Sequence, residues 1–103
     1  MDRVERLLAF LKANPDDPFL QHALALEHIK AGNEVDARKI FESILLTDPG
    51  YIGSYYHLGK LLERTGETEA AISWYKKGMA AAKTAGDNHA LGELRAAYED
   101  LVD

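Results

Sequence analysis

The chain predicts an all-α fold, a right-handed superhelical array of antiparallel helix hairpins (an α-α superhelix) with about six helices. Three observations predict it. The sequence repeats itself with a period of about 34 residues. With 18–48 laid over 52–82, Leu24-Ala25 falls on Leu58-Gly59, Gly32 on Gly66, Ala37 on Ala71 and Phe41 on Tyr75. A unit of that length cannot bury a core alone, so a fixed period in this range marks a stacked array. Apolar residues also recur at three-and-four spacing, and no Val/Ile/Thr-rich alternating run signals a strand.

Each element has its own signals. Val4, Leu7, Leu8 and Leu11 share one helical face in 2–13, and Asn14-Pro15-Asp16-Asp17-Pro18 ends that helix, because proline disfavours helical geometry in the residue before it. The second helix starts at Pro18, where a missing N–H costs nothing and Asp17 caps the free amides, and it stops at Gly32. Asn33 reads as the cap of a third helix carrying Ala37, Ile40, Phe41, Ile44 and Leu45, ended by Thr47-Asp48-Pro49-Gly50. The same hairpin is then written again. A fourth helix carries Ile52, Tyr55, Leu58, Leu61 and Leu62 to Gly66, and a fifth runs from near Thr68 toward Thr84. After the turn Gly86-Asp87-Asn88, Leu91, Leu94, Tyr98 and Leu101 mark a sixth.

With 103 residues, 47% of them hydrophobic, the chain is expected to form one small domain. Seventeen acidic against twelve basic residues give a net charge of −5, which opposes a phosphate backbone or an anionic membrane surface, so neither nucleic acid nor membrane is an expected partner. The absence of cysteine excludes disulfides, thiolate metal sites and cysteine nucleophiles. Neither a signal peptide nor a membrane span is visible, and a cytoplasmic location is expected. His22, His28, His57 and His89 show no metal-ligand spacing, Gly50-Tyr51-Ile52-Gly53 lacks the ending of a phosphate loop, and Ser43, Ser54 and Ser73 have no suggestive neighbours. No catalytic residue, cofactor or metal is expected, and the chain is not read as an enzyme.

The constellation Leu58-Gly59, Leu62, Gly66, Ala71 and Tyr75, with Leu24-Ala25, His28, Gly32, Ala37, Phe41 and Pro49 in the earlier copy, resembles the tetratricopeptide repeat family, in its small stand-alone bacterial form. Small residues at Ala25, Gly59, Ala37 and Ala71 let the helices of a hairpin approach, while Phe41 and Tyr75 fill the gap toward the next. The resemblance implies a single domain over 1–103: a lone helix at 2–14, repeats at 18–49 and 52–84, and a capping helix at 87–102. The sequence departs from the family at His28, where tyrosine is usual, and at Gln21 and Tyr55, where tryptophan is common. Gly78 replaces an alanine, which is expected to weaken its helix by about 1 kcal/mol. Leu91-Gly92 repeats Leu58-Gly59 one position short of the full period, and no partner helix follows it.

In this family the first helix of each hairpin lines the concave face, so the resemblance directs attention to Phe19, His22, Leu26 and Lys30 on the second helix and to Tyr56, His57, Lys60 and Arg64 on the fourth. Together they suggest an aromatic, basic-leaning groove for an acidic and apolar peptide or protein segment, and a non-enzymatic interaction module. Members that hold a terminal carboxylate use asparagines on this face. Ala23 and His57 stand at those sites here, so a full carboxylate clamp is not expected. The alternative function is assembly through the terminal helices. Leu8 stands where the repeats have Glu42 and Lys76, and Phe10 where they have Ile44 and Gly78. Either Phe10 folds inward, or Leu8 and Phe10 form an exposed self-association patch, making the protein a monomer or a homodimer. Trp74, opposite Ile40 in the repeat, reads as partly buried against the following helix or as a partner anchor.

Overall fold

A computed structural model describes residues 2–102, which contain six helices and no strand. They are α1 (Arg3–Ala13), α2 (Pro18–Lys30), α3 (Glu34–Thr47), α4 (Gly53–Arg64), α5 (Thr68–Ala85) and α6 (Asn88–Val102). Contacts group them into two compact units, α1 to α3 ending at Asp48 and α4 to α6 starting at Pro49. Among the described residues no helix is long and apolar enough to cross a membrane.

In the first unit, α1 begins at Asp2, whose carboxylate accepts the Glu5 N–H at 2.8 Å. Asp17 caps α2 by accepting from Phe19 and Leu20 N–H at 2.9 and 3.3 Å, with Pro18 in the first turn as the sequence predicts. Gly32 then turns the chain at φ +82°, so that the Asn33 N–H reaches back to the His28 carbonyl at 2.8 Å and satisfies an end-of-helix acceptor. Only a residue without Cβ adopts that φ cheaply. Asn33 does precede α3, but its side chain makes no capping bond; its amide lies instead 3.5 Å from His28 Nδ1. The cap was expected because asparagine commonly serves as one, and the approach to His28 is a contact that helix rules do not anticipate. α1 and α3 both pack on α2, burying Leu7, Ala25, Ala37 and Phe41. The Phe41 ring meets His22 edge-on at 5.4 Å.

In the second unit α5 packs against both α4 and α6, and α4 also touches α6. Gly66, at φ +79°, ends α4 as Gly32 ends α2, with Glu67 N–H on the Leu62 carbonyl at 2.8 Å. The hairpin is closed by two interlocking glycine–tyrosine contacts. A Cβ on Gly59 would run into the Tyr75 ring, and one on Gly78 would stand 2.7 Å from Tyr55 Cβ. Gly78 is therefore not a simple weakness in α5: alanine would gain helix propensity there but collide with Tyr55, which no helix-propensity scale includes. Tyr55 and Tyr75 are buried and bonded at their polar ends, Tyr55 Oη donating to the Pro49 carbonyl at 2.5 Å and Tyr75 Oη to Glu63. Buried tyrosines with partnered hydroxyls combine apolar area with a fixed orientation. α6 supplies Leu94 and Ala97 to the core.

Candidate functional site

The residues predicted to bind a partner divide between the two units. On α4, the steps from Tyr56 and His57 to Lys60 and then to Glu63 and Arg64 follow the turns of one helix face. Tyr56 is half-buried, its ring 5.9 Å from His57 in an edge-on contact and 6.5 Å from the buried Tyr75. The Lys60 ammonium lies 5.6 Å from the centre of the Tyr56 ring and 3.6 Å from Glu63 Oε2. Glu63 in turn accepts from Tyr75, so one carboxylate ties the core tyrosine to the surface lysine. Burial, with the Glu63 carboxylate beside it, pushes the Tyr75 phenol far above its usual pKa and keeps it neutral.

His57 is also half-buried. Burial lowers its pKa below 6.5, Glu93 pulls it back up and Arg64 lowers it further. Glu93 belongs to α6, so the sixth helix contributes to this face as well as closing the core. His89, on the same helix, lies 3.4 Å from Glu93 Oε1. Sequence spacing did not reveal Glu93 as a neighbour of His57, because the contact is tertiary.

On α2, Phe19 is 68% exposed, His22 and Leu26 are half-buried and Lys30 is exposed. Lys30 Nζ lies 3.1 Å from Glu27 Oε2, which Arg3 of α1 also approaches at 3.4 Å. Both lysines of the basic-leaning groove are ion-paired, Lys30 with Glu27 and Lys60 with Glu63. The partners sit one helical turn away, a distance at which side chains meet. Ala23 and His57 supply no amide, as the sequence states.

Phe10 does not fold inward: it is 57% exposed, and Leu8 is 51% exposed. Two positions apart on a helix they point about 200° away from each other, so they flank the buried Leu7 on opposite sides and do not make one patch. Val4, 36% exposed, shares a stripe with Leu8. Trp74 is half-buried, but its ring contact is Tyr55 of the preceding helix at 6.2 Å, with the Lys77 ammonium 4.5 Å from the indole centre. Among the described residues no cluster of His, Asp and Glu could hold a metal ion.

These hairpins have close counterparts among solved structures. The crystal structure of a tetratricopeptide repeat domain protein from Salinibacter ruber is 45% identical, covering 82% of this chain and 94% of that one with a TM-score of 0.79. The chain belongs to the tetratricopeptide repeat family. A solution structure of a tetratricopeptide repeat domain protein from the same organism is likewise 45% identical, covering 84% and 88% of the two chains with a TM-score of 0.81. A protein from Bordetella parapertussis is 28% identical over 98% of this chain and 88% of its own, with a TM-score of 0.83. No family model and no curated protein matches the chain. Tetratricopeptide repeats are generally interaction scaffolds, which agrees with a helical repeat module that works by binding protein.

Proposed function

We propose that this tetratricopeptide repeat protein binds an acidic, apolar peptide or protein segment on the outward faces of α2 and α4, and that the α4 face carries the main contact. The supporting observation is the Tyr56–His57–Lys60 cluster: an aromatic ring held from behind by Tyr75, with a cation against its face and an imidazole at its edge. A preset aromatic surface costs little side-chain entropy on binding, and Lys60 can exchange Glu63 for a partner carboxylate. Phe19, His22, Leu26 and Lys30 repeat that chemistry on α2. With two short faces the affinity for a single peptide is on the order of micromolar. The 103 residues act as one module, with no catalytic step.

A display library of random peptides, selected on the wild type and sequenced, tests this reading. It should enrich peptides with aspartate or glutamate beside large apolar residues, and Tyr56→Ala or Lys60→Glu should abolish their binding. Enrichment without acidic character, or binding indifferent to both substitutions, would contradict it. A second reading, self-association through α1, is favoured by the exposed Val4–Leu8 stripe. It requires a dimer in sedimentation that Leu8→Glu converts to a folded monomer.

A further inference from the structure

The stripe Gly92, Arg95 and Glu99 of α6 occupies the position that, on α4, receives α5. In the register that lays Leu91-Gly92 over Leu58-Gly59, Gly92 stands where α4 has Gly59 and Arg95 where it has Leu62. On α4 the stripe is filled: a Cβ on Gly59 would run into the Tyr75 ring, and Leu62 is fully buried. On α6 it is open, since a Cβ on Gly92 would meet nothing within 4 Å and Arg95 is exposed. Beside it, between α5 and α6, lies an open depression of about 420 Å³ floored by Met79 and Tyr98 and edged by Lys76, Lys83 and Arg95.

We propose that this face is a seat for an acidic amphipathic helix of a partner protein, which stands on α6 as α5 stands on α4. Charge identifies the occupant. Lys76, Lys83 and Arg95 make no ion pair among the described residues, and Glu99 is the one acid at the edge, on a chain whose net charge is −5. Three cations against a single carboxylate around an apolar floor fit a partner's carboxylates flanking an apolar stripe. A second copy fits less well. Its helix with exposed apolar residues, α1, carries Arg3, Arg6 and Lys12 against Glu5, so it would bring cations to cations, and its Leu7 is already buried.

The probe is a fluorescein-labelled synthetic helix copying residues 68–85 with its three lysines at 76, 77 and 83 changed to glutamate, read by fluorescence anisotropy against the full chain. It should bind saturably, and the unmodified copy should bind at least tenfold more weakly. Gly92→Leu, which places a side chain in the seat but has open space around it, should weaken binding at least tenfold without lowering Tm, as should the double variant Lys76→Glu, Lys83→Glu. Lys60→Glu should leave it unchanged, which separates this seat from the α4 face. The proposal is overturned by an absence of saturable binding, by equal binding of the lysine peptide, or by insensitivity to Gly92→Leu. It is also overturned if a single-stranded oligonucleotide of equal charge displaces the probe, or if the protein alone sediments as a dimer that Gly92→Leu splits.

Discussion

Gly59 and Gly92 occupy the same place in the repeat and both lie inside helices, yet an added methyl group meets opposite surroundings. Gly59→Ala drives Cβ into the Tyr75 ring and should destabilise the fold by about 1–3 kcal/mol, while Gly92→Ala should stabilise it by roughly 0.5–1 kcal/mol through helix propensity. Chemical denaturation of the two variants beside the wild type measures both signs; equal midpoints would mean that Tyr75 does not stand on Gly59. His57 gives a prediction in pH. Its folded pKa is below 6.5, so below that pH the unfolded chain binds more protons, and stability should rise with pH up to about 6.5 and then level off as far as this group is concerned. The difference between wild type and His57→Gln in melting temperature should therefore appear only on the acid side. A carboxylate delivered beside His57 raises its pKa again, so peptide affinity should increase as pH falls from about 7.5 to about 5.5, and should not do so in His57→Gln.

The helices end where glycine allows a left-handed residue, and this part of the fold was legible in the sequence. Gly32 and Gly66, one repeat apart, both have positive φ and both place the next N–H on a carbonyl of the closing turn. Gly32→Ala and Gly66→Ala should each cost about 1–2 kcal/mol, measurable by thermal melting, because an L side chain is strained there whatever the space. What was not legible depended on residues distant in sequence or on the choice of partner. Gly78 reads as a helix weakness until Tyr55, on another helix, is seen against it. That Lys30 pairs with Glu27 and Lys60 with Glu63 emerges only in the structure, and nothing in the spacing announces Glu93 beside His57. Phe10 and Leu8 share an aligned excess of apolar bulk, but helix geometry sends them to opposite sides of α1.

At the scale of the molecule, the chain has a net charge of −5 and its twelve basic residues are spread over all six helices. In the proposed binding mode Lys60 exchanges Glu63 for a partner carboxylate, so binding of an acidic peptide should weaken as salt is raised through the range where the screening length falls to about 8 Å and below. Binding that ignores salt would point to apolar contact alone. The most direct test of the central claim is a titration of ¹⁵N-labelled protein with an acidic, apolar peptide selected on it, following every backbone amide. The predicted result is a saturable set of shifts concentrated at Tyr56, His57 and Lys60, with Phe19, His22 and Leu26 responding on α2. Shifts that leave both helices untouched, or that survive Lys60→Glu with unchanged affinity, would contradict the account.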